Sequence, residues 1–149
     1  MKYLLDTNVL SEIRKPKGDA KVKAFVNSLR EEDIFISVLS IGEIGFGIEK
    51  LAAGPKKTEL RIWLSQKLPE RFGSRIIPLD ADIMAEWGSL QAKASKTMPV
   101  FDSLIAASAL ARRLTVVTRN TKDFEKVKGL NLLNPWTEAG GQGKRRCPV

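Results

Sequence analysis

The sequence has no histidine and a single cysteine, Cys147, in 149 residues. Without histidine there is no Ser-His-Asp triad, no Cys-His nucleophile pair and no imidazole-ligated metal. With one cysteine there is no intrachain disulfide and no thiolate-rich zinc site. Chemistry on this chain therefore falls to carboxylates, hydroxyls, amides, Lys and Arg. A metal would be held mainly by oxygen, which suits magnesium or manganese. No apolar run approaches the roughly 20 residues that span a bilayer. Met1-Lys2 leads straight into a short apolar strand, not a signal-peptide pattern. The expectation is a soluble cytoplasmic protein with no membrane partner.

What is present fits one ordinary globular domain. Hydrophobic residues make up 43% and charged residues 28% of the chain, a composition that builds a core and argues against disorder. Lys and Arg number 25 against 17 Asp and Glu, a net charge of +8. Such an excess favours polyanionic partners, and it bears on association rather than on fold.

Apolar runs and helical stripes alternate along the chain. Residues 2–5 read as a buried strand that stops at Asp6-Thr7-Asn8. Asp19 caps a helix carrying Val22, Phe25, Val26 and Leu29 on one face. Residues 34–37 form a second strand. A helix from about Ser40 carries Ile41, Ile44, Ile48 and Leu51, and stops at Gly54-Pro55. Leu60, Trp63 and Leu64 mark a helix expected to end by Pro69. Residues 75–79 make a third strand, and Asp80 caps a long helix with Ile83, Trp87, Leu90 and Ala94. Pro99 precedes a helix from about Asp102. Residues 114–118 form a fourth strand, a helical turn occupies about 122–126, and a last strand covers about 130–133. This alternation predicts an α/β fold with a mainly parallel central sheet and helices on both faces. The ordered domain is expected over residues 1–137. Residues 138–149 (EAGGQGKRRCPV), Gly-rich and then basic, are expected to form a flexible tail.

In open α/β sheets, sites form at the carboxyl ends of the strands. Asp6 stands at such an end, although taken alone it is as readily a turn or helix cap. Glu43 fits the capping-box pattern of Ser40-Ile41-Gly42-Glu43 and would sit on the first helical turn after the second strand. Glycines 42, 45 and 47 cost that helix stability. They imply either close packing or room for a ligand. Asp102 opens a helix whose following strand delivers Thr118-Arg119-Asn120 to the same edge, with Asp123 close behind. Three carboxylates and an amide thus converge. Unneutralised, such a cluster repels itself, and a hard divalent cation relieves the conflict. An acidic metal pocket in a basic protein suits a phosphodiester substrate. Arg14, Lys15, Arg119 and Lys122 are the nearby candidates for holding its backbone.

The segments LLDTNVLSEI, SVLSIGEIGFGIEKL, FDSLIAASAL and VVTRNTKDF, in this order, resemble PIN-domain proteins of the VapC/FitB type. The likeness runs from about residue 2 to Trp136. It implies a PIN-like fold and a Mg2+- or Mn2+-dependent ribonuclease, the toxin of a type II toxin–antitoxin pair. It further implies a homodimer and a cognate antitoxin that covers the active-site groove. Asp6, Glu43 and Asp102 carry over as the acidic metal trio, with Asn8 and Thr118 supporting the site. The family's fourth acidic position is Asn120 here. An amide can orient a metal-bound water but adds no charge, and Asp123 is a possible extra acid outside the aligned position. Two other readings are weighed against this one. A haloacid-dehalogenase-like phosphatase would need an acid two residues after Asp6, where Asn8 stands. A catalytically weak RNA- or DNA-binding module is the other.

Overall fold

The computed structural model of the chain describes residues 1–137. Residues 138–149, expected above to form a basic tail, lie outside the described residues. The sheet is parallel throughout, with strand order β3-β2-β1-β4-β5. Its strands are β1 (Tyr3–Leu5), β2 (Ile34–Ser37), β3 (Ile76–Ile77), β4 (Thr115–Val117) and β5 (Leu132–Leu133).

Side chains alternate across each strand, so the sheet divides the core in two. Leu4, Val116 and Leu132 face a layer built from Ile83, Leu90, Leu104, Ile105 and Phe124. Tyr3, Leu5, Val117 and Leu133 face Val9, Leu10, Val22, Phe25, Leu68 and Phe72. The first layer is carried by α6 (Ala81–Lys93) and α7 (Val100–Arg112). The second belongs mainly to α1 (Thr7–Arg14), α2 (Ala20–Asn27) and α5 (Leu68–Phe72). Both sheet faces are covered, as continuous apolar strands require.

The structure moves several expected boundaries. Residues 7–14, to which the sequence pattern assigns no element, form α1, because Asp6 caps it and Val9, Leu10 and Ile13 share its inner face. The helix expected near Ser40 is α3 (Val38–Glu49). It starts directly at the end of β2, because the extended Ser37 accepts the Leu39 N–H on its hydroxyl at 3.1 Å. There is therefore no capping box, and Glu43 lies on the second helical turn.

Pro69 does not end a helix. Instead α4 (Pro55–Ile62), a π-turn (Trp63–Lys67) and α5 run on as one helical stretch. In the π-turn the Leu68 N–H reaches back to the Trp63 carbonyl. This offset of the hydrogen-bond ladder accommodates the N–H that Pro69 lacks. The stretch stops at Gly73, whose φ of 50° a side-chained residue adopts only with strain. β3 stops short of Pro78, which has no ladder donor. α7 begins at Val100, immediately after Pro99, and the late helical turn covers Thr121–Asp123.

A buried polar knot joins α6 to α7. The Ser103 hydroxyl accepts from Trp87 Nε1 at 2.8 Å and from Gln91 Nε2 at 3.1 Å, and donates to the Val100 carbonyl at 2.7 Å. Gln91 also receives the Met98 N–H and donates to the Met98 carbonyl, both at 3.1 Å. These bonds pin the connection between the two helices. Ser103→Ala leaves the Trp87 donor without its partner, so it should cost about 1–3 kcal/mol. Urea unfolding followed by Trp fluorescence measures this cost.

Candidate active site

The strand order places β2 and β3 on one side of β1 and β4 and β5 on the other. The chain reverses direction of growth between β1 and β4, and their carboxyl ends flank the resulting crevice. Asp6 follows β1 and Thr118 follows β4 at this point. The ladder continues into both residues: Asp6 N–H donates to the Val117 carbonyl at 2.9 Å, and Thr118 N–H to the Leu133 carbonyl at 3.0 Å.

Asp6 is 9% exposed. Its Oδ1 accepts the Thr7 N–H at 2.8 Å, and its Oδ2 accepts the Thr118 hydroxyl at 2.9 Å. It is therefore both the cap of α1 and an oriented carboxylate at the crevice. Thr118 Oγ1 in turn accepts the Asn120 N–H at 3.1 Å and a long contact from Asn8 Nδ2 at 3.4 Å. Asn8 Oδ1 accepts the Arg119 N–H at 3.3 Å. Asn8 and Thr118 thus tie the loop after β4 to the start of α1. Asn8 is committed to this tie, and nothing in its contacts favours the acid role that a phosphatase would require.

Glu43 is positioned by a residue absent from the sequence-based candidates. Thr7 Oγ1 lies 2.8 Å from Glu43 Oε1 and 2.8 Å from Ser40 Oγ. A hydroxyl has one proton, so Thr7 donates to the carboxylate and accepts from Ser40. Ser40, expected to cap α3, is fully buried and links α3 to α1. The sequence signal for Thr7 was the polar run Asp6-Thr7-Asn8 that ends β1; Ser40, beyond the apolar Val38-Leu39, had no such signal.

Asp102 is the third residue of α7, where the positive end of the helix dipole favours a carboxylate. Its pKa is nonetheless raised, first by burial and then by the charges of Asp123, Asp6 and Glu43. The Asp6 pKa is also raised. Burial is the main cause, opposed by the Thr118 and Thr7 hydrogen bonds and reinforced by the charge of Asp123. The fold therefore brings Asp6, Glu43, Asp102 and Asp123 into one electrostatic neighbourhood. Among the described residues, ion pairs reach Glu31, Glu32, Glu49 and Asp80, and none reaches this cluster.

The donor set fits a hard cation: carboxylate oxygens, no nitrogen or sulfur competitor, and unbalanced negative charge. Among the described residues no three Asp, Glu or Cys side chains stand close enough together to hold a metal ion between them. Mg2+ keeps several waters and takes only one or two carboxylates directly, so it does not require three acids in contact. The Asn120 side chain is exposed at the rim. Space is also available beside α3, since a Cβ at Gly42 or Gly47 would meet nothing within 4 Å. At those two positions the glycines leave room rather than permit close packing.

The basic candidates scatter. Arg14 lies eight residues along α1 from Asp6, about 12 Å at helical rise. Its guanidinium stacks over Trp63 at 5.8 Å. Lys15 is an exposed residue at the end of α1. Arg119 stacks over Trp136 at 5.1 Å. Lys122 is exposed beside Asp123. The structure thus does not gather Arg14 and Lys15 with the acids, whereas the chain places Arg119 and Lys122 beside them.

The raised pKa values have a consequence for metal-free stability. In the folded state Asp6 and Asp102 hold protons more tightly than at their ordinary value of 3.8. The folded state is therefore favoured at low pH, and this advantage is lost as pH rises from 3.8 through the folded values. Asp102→Asn removes its share of the loss. Without metal at neutral pH the variant should be more stable than the wild type, with the difference vanishing below the carboxylate range. Thermal unfolding across pH in EDTA measures this, and an Asn variant that is less stable at neutral pH would contradict it.

Comparison with known proteins places this geometry in a family. Residues 3–130 match the PIN domain. The chain is 33% identical over 139 residues to VapC ribonuclease Y4jK of Sinorhizobium fredii, covering 91% of this chain and 99% of that protein. It is 35% identical to Toxin FitB of Neisseria gonorrhoeae, covering 89% and 97%. The crystal structure of FitAcB from Neisseria gonorrhoeae superposes with a TM-score of 0.84 at 34% identity, covering 91% and 99%. The switch-point acids, the all-parallel sheet and these matches agree: the chain belongs to the PIN-domain family.

Proposed function

We propose that this protein is a Mg2+- or Mn2+-dependent endoribonuclease and acts as the toxin of a type II toxin–antitoxin pair. One observation carries the reading. Four carboxylates, Asp6 buried, Glu43 and Asp102 half-buried and Asp123 exposed, act on one another at the switch point with no cation paired to them among the described residues, in a chain of net charge +8. A local acidic pocket within a basic protein is what cleavage of a polyanion by a metal-assisted route requires. Residues 1–137 form the nuclease unit in this reading.

A bound divalent cation would supply an activated water and stabilise negative charge on a phosphoryl oxygen. Asp6 and Asp102 would hold it directly, Asp6 oriented by Thr118 and Asp102 by the first turn of α7. Thr7 fixes Oε1 of Glu43, which leaves Oε2 to hold the cation or its water and to accept a proton from the attacking water. Asn120 orients a water without adding charge. Asp123 supplies the fourth negative charge near the site. Arg119 and Lys122 lie where they can contact the flanking backbone.

Partners follow from the same reading. The substrate is RNA, and a cognate antitoxin restrains the enzyme in the cytoplasm. No helix among the described residues is long and apolar enough to cross a membrane. Exposed Val100 and Phe101 precede Asp102, and exposed Phe46 lies one turn beyond Glu43. These side chains offer apolar area beside the crevice for a protein partner, the antitoxin or a second subunit of a homodimer.

Purified protein incubated with structured RNA and Mg2+ or Mn2+ should cleave it, and EDTA should stop the reaction. Asp6→Asn and Asp102→Asn should abolish cleavage. Equal cleavage by wild type and both variants, or release of phosphate from small phosphomonoesters instead, would defeat the proposal. Thr7→Val removes only the support of Glu43, so it should reduce kcat by about 10- to 100-fold. A lesser loss in single-turnover assays would show that Glu43 needs no such support.

A further inference from the structure

A groove of about 820 Å³ runs beside the acid cluster, between the C-terminal half of α6, residues 94–98 and residues 122–128. Lys93, Lys96, Lys122, Lys126 and Lys128 line it. All five are exposed, and none has a carboxylate within ion-pair distance among the described residues. Glu86 and Asp123 are the acids on the same walls, so the groove has an excess of three positive charges. Unpaired lysines on facing walls sum to a positive potential that attracts a polyanion.

Two features give the groove a direction and a floor. Asp123 belongs both to its wall and to the acid cluster, where its charge acts on Asp102. Asp123 thus marks the end of the groove that lies nearest the acids. Its floor is apolar, with Leu90, Met98, Leu110 and Val127, and no aromatic ring lines it. It has no stacking platform for bases. One wall is rigid, because Gln91 holds both backbone polar groups of Met98.

We propose that this groove binds the phosphodiester backbone of single-stranded RNA on one side of the bond to be cut, with Lys122 beside the acids and the other four lysines continuing the track. The proposal deepens the nuclease reading and rests on it for the identity of the polyanion. An acidic peptide is the less suitable occupant. Tight peptide docking needs aromatic or deep apolar anchor pockets, whereas point-charge lysines along an open track suit successive phosphates. Contacts of this kind fix register and carry no base preference. Selection of the cleavage site is then made elsewhere, at the crevice itself.

The test compares the wild type with the triple variant Lys93→Ala, Lys96→Ala, Lys126→Ala, whose exposed positions leave the unfolding midpoint unchanged. Binding of a fluorescein-labelled single-stranded RNA is measured by anisotropy in EDTA over a range of salt. Losing three phosphate contacts should weaken binding about tenfold at low salt and lower the log–log salt slope by about 2. In Mn2+ the variant should cut a long RNA with raised KM and unchanged kcat, and cut an RNA too short to fill the groove as well as wild type does. Equal affinity and equal salt slope would overturn the groove while leaving cleavage, and the nuclease reading, intact. Lysine-dependent RNA binding by a wild type that cleaves nothing would uphold the groove and defeat the nuclease reading. A loss confined to a polyglutamate peptide, with RNA binding unchanged, would assign the groove to a protein and overturn the proposal.

Discussion

Everything at the working edge depends on keeping a negative charge on Asp6 where burial opposes it. The residue is nearly inaccessible at the end of the central strand, and a carboxylate there loses its hydration. The Thr118 hydroxyl and the Thr7 N–H replace that hydration in part. Thr118 can do so because β4 lies beside β1 in register, Leu5 opposite Val117, so that the next residue of each strand meets across the crevice. Thr7 can do so because it opens α1. A single contact therefore couples sheet register, helix entry and the charge state of the site. The same Thr7 holds Glu43 through its hydroxyl, so the second acid inherits its position from the cap of the first.

The +8 chain keeps its charges apart. Ion pairing among the described residues occupies Glu31, Glu32, Glu49 and Asp80, on the outer surfaces. The four acids of the crevice form no ion pair, and neither do the lysines of the adjoining groove. Burial, and then repulsion from Asp123, Asp6 and Glu43, raise the Asp102 pKa; in the proposed reading a cation relieves that repulsion and phosphates relieve the lysine track.

Much of this was legible from residue order. Apolar β-branched runs separated by amphipathic stretches specify a parallel sheet between helical layers, and the sheet has that form. Asp6, Glu43, Asp102 and Asp123 were identifiable because each follows a strand end or opens a helix that leads to one. Local boundaries were less legible. Ser40 looks like a helix cap, but Ser37 takes that role because β2 enters α3 without a loop, and Ser40 is freed to meet Thr7. Pro69 looks like a stop, but the π-turn before it absorbs its missing donor. Arg14 looks like a site cation by sequence proximity to Asp6. The helical rise of α1 carries it away to Trp63. These differences share one cause: they depend on which side chains meet across elements distant in sequence, and no local pattern encodes that.

The central claim is that the switch-point carboxylates form one site for a hard divalent cation. Calorimetric titration of Mn2+ at mildly acidic pH, repeated in buffers of different ionisation enthalpy, tests it directly. Asp6 and Asp102 titrate above their ordinary range, so binding should be saturable and should release protons, because coordinating carboxylates must be ionised. Asp6→Asn should lose the saturable step. No saturable binding by the wild type, or the same binding by Asp6→Asn, would contradict the account.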